Sequence, residues 1–145
     1  MLVVEEPAEF LGRRDRDVGA LRGEELVVAA QVAPVGAEGV GGQAALDRYL
    51  DFYLSPRHRD DIAGGCPVPV LSAEVQRAAP EVKAAFDGGL NRLADRLGKL
   101  MPRGRRKAAL ALLGEMAGVL NLSRAVSDAK ASTELLAEKR KALAL

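Results

Sequence analysis

Four side chains between residues 58 and 66 are of the types that bind metal ions or act in nucleophilic catalysis: His58, Asp60, Asp61 and Cys66. Zinc sites take such ligands at HxxxH or CxxC spacings, which this segment lacks. A nucleophilic pair would need the fold to bring Cys66 and His58 together, with a third group to orient the base. Because the segment is highly charged, we predict an exposed loop held by Arg–Asp pairs. We interpret Cys66 as a small buried hydrophobe beside Pro67.

The glycine-rich run from Gly36 to Gly42 is a second segment that could bind a ligand. A phosphate-binding loop ends in a Lys-Ser/Thr pair and follows a strand, and this run has neither. A flexible connector is the simpler interpretation. The remaining sequence offers no convergent polar groups. We therefore predict no cofactor, no metal site and no catalytic residues, which leaves a small enzyme as the least supported function.

The composition favours one helical domain. The chain has 145 residues and only five aromatic side chains, fewer than a β-sandwich or barrel would need. Its net charge of +1 gives no overall attraction to nucleic acid or to an anionic membrane. A single cysteine excludes an internal disulfide, and the acidic N-terminus is unlike a secretory signal. We expect a cytoplasmic protein.

Residues 1–42 differ from the rest of the chain. Residues 1–45 contain eight acidic side chains and four arginines, whereas every lysine lies at Lys83 or later. Proline and clustered glycines indicate turns or loose chain in this part. Residues 24–33 are compatible with a short helix that has acids at its N-terminal end, or with an extended strand. We therefore divide the chain into an irregular acidic segment, 1–42, and a helical domain, 43–145.

Hydrophobic periodicity predicts an all-α bundle of about five helices from Gln43 onward. Prolines are placed to open two of them, because proline fits the first turn of a helix but not its interior. Residues 56–66 are predicted to be an irregular polar connector. The predicted helices are Gln43 to Leu54, Pro67 to about Ala79, Pro80 to Met101, Arg105 to Ser127, and a last helix N-capped by Ser132.

The helix predicted from Arg105 to Ser127 contains a long apolar stretch. Between Ala108 and Leu120 only Glu115 interrupts an apolar surface, and a helix that is apolar all round is buried on more than one face. Two glycines four residues apart, Gly114 and Gly118, would let another backbone approach one side. A membrane span would need about 20 apolar residues, and this run is shorter. We therefore predict a central helix that also contacts a partner.

The ordered motifs resemble the regulatory domain of TetR-type (TetR/AcrR) bacterial transcriptional regulators. The resemblance extends roughly from Ala45 to Leu143. It implies an all-helical domain around a mainly apolar ligand pocket, and a homodimer in which the last two long helices of each subunit form a four-helix bundle. The motifs that carry it are Tyr53-Leu-Ser-Pro-Arg-His-Arg-Asp-Asp61, Gly65-Cys-Pro67, Ala79-Pro-Glu-Val-Lys-Ala-Ala-Phe86, Ala109-Leu-Ala-Leu-Leu113 and Ser123-Arg-Ala-Val126.

Two sets of site residues follow from the resemblance and from the apolar faces of the helices. The first would line the pocket for a small apolar or amphipathic ligand: Tyr49, Phe52, Tyr53, Cys66, Leu71, Phe86, Leu90, Met116 and Leu120. The plainer interpretation of this set is an ordinary hydrophobic core. The second set would form the dimer interface: Leu110, Leu113, Gly114, Ala117, Gly118, Leu136 and Leu143. We expect one side of the central helix to close the pocket and its glycine side to pack on the partner.

Regulators of this family begin with a helix-turn-helix domain, and residues 1–42 do not resemble one. The segment is acidic, has only Phe10 as an aromatic residue and lacks a basic recognition helix, so it cannot neutralise DNA phosphates. We therefore expect DNA binding only if a helix-turn-helix is supplied elsewhere. The predicted function is a dimerising, ligand-sensing regulatory domain. The alternative is a dimerisation scaffold without a ligand, which a filled core would favour over a cavity of several hundred Å³.

Overall fold

The computed structural model describes residues 42–101 and 106–144, without the side chain of Arg106. Six helices contain 81% of these residues, and no strand occurs among them. The all-α prediction is confirmed. The possible helix at 24–33 and the glycine run before Gly42 lie outside the described residues. The helices are α1 (Gln43–Tyr53), α2 (Pro56–Asp60), α3 (Pro67–Val75), α4 (Pro80–Leu100), α5 (Arg106–Ala125) and α6 (Ala129–Ala142).

Proline defines where three of the helices begin. Pro56, Pro67 and Pro80 each occupy the first position of a helix, where the missing N–H would have no partner in any case. Helix α3 ends at Val75, earlier than predicted, and Ala79 is extended (φ −60°, ψ 155°). The residue before a proline disfavours the helical conformation, so the chain leaves the helix before Pro80.

Helix α2 occupies part of the segment predicted to be an irregular connector, so that prediction is wrong for its five residues. The backbone N–H of His58 donates to Ser55 Oγ at 3.2 Å, which makes Ser55 the N-cap. A single turn is too short to show a hydrophobic period, which is why the sequence pattern missed it.

The corner between α5 and α6 also differs from the prediction. Asp128, not Ser132, is the N-cap of α6, since the backbone N–H of Ala131 donates to Asp128 Oδ1 at 2.7 Å. Ser132 lies inside the helix, where its hydroxyl donates to the backbone carbonyl of Ser123 at 2.5 Å. The hydroxyl is therefore used to join two helices rather than to begin one.

Helix α5 is the central element of the bundle. It packs against α2, α3, α4 and α6, while α1 packs against α2 and α4. The core of the described residues runs along one side of α5 and includes Ala109, Leu113, Met116 and Leu120. None of the helices described is long and apolar enough to cross a membrane.

Candidate functional site

The segment between α1 and α3 folds around the imidazole ring of His58. Its Nδ1 lies 2.8 Å from the backbone carbonyl of Tyr53, and its Nε2 lies 2.9 Å from the backbone nitrogen of Cys66. A backbone N–H can only donate, so Nε2 must be the unprotonated acceptor and Nδ1–H the donor. The side chain is 2% exposed, so the prediction of an exposed histidine is wrong.

Aromatic rings and a glycine fit closely around this imidazole. Phe52 stacks on it with ring centroids 5.3 Å apart, and Tyr53 meets it edge-on at 4.6 Å. A Cβ atom at Gly65 would lie 2.9 Å from His58 Nε2 and 2.5 Å from the backbone oxygen of Asp61. Only glycine therefore permits this approach. Burial of the ring lowers the pKa of His58.

The geometry leaves His58 no lone pair for a metal ion, since each ring nitrogen already has a backbone partner. Within the described parts of the chain, no group of three or more histidine, cysteine, aspartate or glutamate side chains is placed to hold one. The structure does bring Cys66 close to His58, but by its backbone N–H. Burial raises the pKa of the Cys66 thiol, which disfavours the thiolate that nucleophilic chemistry requires.

Arg124, near the end of α5, holds the carboxyl end of α2. Its Nε donates to the backbone carbonyl of Arg59 at 2.9 Å, and its Nη2 donates to that of His58 at 3.1 Å. A cation at a helix C-terminus is favourable because the last carbonyls have no partner within the helix. Burial of the guanidinium lowers the pKa of Arg124.

A second set of polar contacts joins α2 to α6. Arg59 Nη1 donates to Ser132 Oγ at 2.9 Å and to Thr133 Oγ1 at 3.1 Å, and its Nε pairs with Asp60 at 2.7 Å. Neither Arg124 nor Arg59 was among the predicted site residues. The motif that contains Arg124 was identified in the sequence, but partners 65 and 66 residues away are not visible from spacing.

Two buried phenols lie beside the imidazole. The rings of Tyr49 and Tyr53 are 5.8 Å apart and both side chains are buried. Among the described residues neither hydroxyl has a hydrogen-bond partner of usual geometry, although the Cys66 thiol lies next to that of Tyr53. Burial, and then the nearby thiol, raise the pKa of both phenols far above their usual value.

The predicted ligand-binding residues separate into two places. Tyr49, Tyr53, Cys66, Met116 and Leu120 belong to the packed core, and Phe52 stacks on His58. Leu71, Phe86 and Leu90 instead line a small crevice between α3 and α4, with a volume of about 20 Å³. This is room for about one water molecule. The rest of its lining is Pro67, Val68, Ala85, Gly89 and Leu93.

The residues predicted for the dimer interface also differ in where the structure places them. Gly114 and Gly118 are exposed on the outer side of α5, and a Cβ at either would meet no atom within 4 Å. Leu110 and Leu143 are half-buried. Leu113, Ala117 and Leu136 are buried within the protomer, where a partner could reach them only after repacking. Leu122, which was not predicted, is 59% exposed on the same side of α5 as the glycines.

A surface groove of about 400 Å³ runs between α1 and α6 and was not predicted from the sequence. Arg140 on its wall pairs with Asp47 and Asp51 of α1, at 3.2 and 2.6 Å. These ion pairs tie the last helix to the first.

Comparison of the chain with protein-family models finds no matching family, and comparison with curated proteins finds no match. The basis for a function is therefore the geometry of these residues, together with the motifs that resemble TetR-type regulators.

Proposed function

We propose that this chain is a homodimerising, ligand-sensing regulatory domain of the TetR type, acting in the cytoplasm. Regulation of transcription would require a helix-turn-helix supplied elsewhere. The observation that carries the proposal is the two-sided character of α5: one side forms the core between the crevice-lining helices and α6, and the other presents two open glycines. A ligand that moved α3 and α4 would act directly on the helix that contacts the partner, as allosteric coupling requires.

The exposed side of α5 supports dimerisation. Ala111, Gly114, Gly118 and Leu122 lie at intervals of three or four residues and are all exposed, so they form one small-residue stripe with a leucine at its end. Glu115 beside this stripe is paired with Lys139 of α6, so its charge is balanced within the protomer. Two copies of α5 and α6 could then pack as a four-helix bundle, with the glycines at the closest approach.

The crevice between α3 and α4 supports an apolar ligand. All of its lining side chains are apolar, and Phe86, Leu90 and Leu71 are half-buried rather than fully buried in the core. Gly89 of α4 also lines the crevice. Glycine in a helix interior costs about 1 kcal/mol relative to alanine, and its position in the crevice wall is a reason for glycine here. A ligand would have to separate the two helices, because the crevice holds about 20 Å³.

The same small volume favours a second candidate, a dimerisation scaffold that binds no ligand. The two are distinguished with Nile red, an uncharged apolar dye whose emission rises and shifts to the blue on leaving water. A sensor should bind the dye saturably. Phe86→Ser should weaken that binding at least tenfold, corresponding to about 1.4 kcal/mol.

Ile62→Ser is the matched control, because Ile62 is exposed but lies outside the crevice lining. Its dye affinity should equal that of the wild type. The scaffold would be favoured if the wild type does not bind the dye, or if Phe86→Ser binds it with the same affinity as the wild type.

A further inference from the structure

The His58 ring is the direct link between the end of α1 and the beginning of α3. Nδ1–H donates to the carbonyl of Tyr53, the last residue of α1, and Nε2 accepts from the N–H of Cys66, the N-cap of α3. Both bonds are buried, and only the neutral tautomer with its proton on Nδ1 makes both at once. The nine residues from His58 to Cys66 are thus closed into a loop by a single unprotonated nitrogen.

Protonation of Nε2 would place two donors against each other. The imidazolium would present N–H toward the N–H of Cys66, so a buried hydrogen bond would be lost and replaced by repulsion. Gly65 packs against the same edge of the ring, where an added Cβ would lie 2.9 Å from Nε2.

Burial of the ring, more than the groups around it, favours the neutral form of His58. From α5, Arg124 adds positive charge near the ring, and from the connector, Asp61 is the carboxylate that opposes it. From α1, the Tyr53 carbonyl accepts from Nδ1–H, which by itself raises the pKa of His58, and the Tyr53 phenol is neutral. Cys66 contributes a backbone N–H and a neutral thiol. Asp61 is exposed and therefore screened by solvent, whereas the ring itself is buried.

We propose that His58 is a proton-operated latch: the neutral ring holds α3 in place, and its protonation releases residues 61–66 and the first turn of α3. The released turn contains Pro67 and Val68, which form part of the crevice wall. Acidification would thereby loosen the wall of the crevice while α4, α5 and α6 remain packed. The latch depends only on the geometry around His58 and not on a ligand or a dimer.

The direction of the pH effect follows from linkage. An unlatched His58 has its ordinary pKa of 6.5, and burial lowers the pKa in the latched state. The unlatched state therefore binds more protons as the pH falls below 6.5. Its population should rise by up to about tenfold per pH unit between the unlatched and latched pKa values.

Cys66 is the only cysteine of the chain and reports the latch directly. Its thiol is buried, so 4,4′-dithiodipyridine, which reacts across this pH range, should modify it only after release. The labelling rate of the full chain, divided by that of the urea-unfolded chain at the same pH, should rise at least fivefold from pH 7.5 to 5.5. The helical circular dichroism should stay unchanged over the same range.

His58→Gln is the test variant, because the glutamine amide can accept from the Cys66 N–H but does not titrate. Its normalised labelling rate should be independent of pH. Wild-type labelling that does not change with pH, or a His58→Gln variant that keeps the wild-type slope, would overturn the latch. A loss of helical signal in step with labelling would also overturn it, because release would then be global unfolding.

A measurement on the wild-type chain keeps the proposal testable if His58→Gln does not fold. His58 is the only histidine, so its ring nitrogens give one pair of ¹⁵N resonances. At pH 7.5 Nε2 should show the shift of an unprotonated nitrogen, and the midpoint of the titration should lie below 6.5. A hydrogen on Nε2, or a midpoint at or above 6.5, would contradict the latch.

Discussion

Gly65 shows how one missing Cβ decides the geometry of the His58 segment. The position has no positive φ, so its requirement for glycine comes from packing rather than from backbone conformation. The Cβ of any other residue would collide with the backbone oxygen of Asp61, which is not the end of a flexible side chain and cannot simply rotate away.

We therefore expect Gly65→Ala to lower the free energy of unfolding by about 1–3 kcal/mol, the range for forced overpacking. Urea unfolding followed by circular dichroism measures it. Gly88→Ala is the matched control, since its Cβ would meet only the Arg92 side chain, no closer than 3.6 Å. Gly88→Ala should stabilise the chain by up to about 1 kcal/mol through helix propensity. Equal effects of the two substitutions would contradict this account of Gly65.

Elements were predictable from the sequence where the signal is local. Proline at the first helical position placed the starts of α3 and α4 correctly, because the steric rule involves only neighbouring residues. The start of α6 was assigned to the wrong residue, because Asp128 and Ser132 are both good N-caps by type. In the fold, the Ser132 hydroxyl donates to the Ser123 carbonyl, so Ser132 is not the N-cap.

Substitution of Asp128 tests whether this residue is the N-cap of α6. Asp128→Ala should cost about 1 kcal/mol of unfolding free energy, because the Ala131 N–H loses its acceptor. Ser127→Ala, one residue earlier and exposed, should change stability by less than about 0.5 kcal/mol. Thermal or urea unfolding of the two variants compares them, and a larger loss for Ser127→Ala would refute Asp128 as the cap.

At the scale of the whole molecule, the outer side of α5 is the surface that a second copy would cover. The structure shows that α5 buries only one side within the protomer, although its sequence is apolar nearly all round. The remaining side combines open glycines with Leu122, 59% exposed, and this combination is what a close helix–helix contact between subunits needs.

Gly118→Arg tests the dimer without disturbing the protomer, because a side chain at Gly118 meets open space. The variant should sediment as a monomer or aggregate, whereas the wild type should sediment as a dimer. Ala84→Arg adds the same charge at an exposed position of α4 and should remain dimeric. A Gly118→Arg chain that sediments as an unchanged dimer would exclude this interface.

The sequence by itself determined the helical class, the order of the long helices and most of their ends. Those features depend on periodicity and on contacts between near neighbours. It did not determine that His58 is buried, that Arg124 holds the end of α2, or which predicted ligand residues share a crevice. These depend on groups up to 66 residues apart that meet only when α5 packs against α2 and α3. The spacing of side chains along the sequence does not indicate such distant partners. Only the tertiary structure could therefore show that the charged segment around His58 encloses a neutral imidazole.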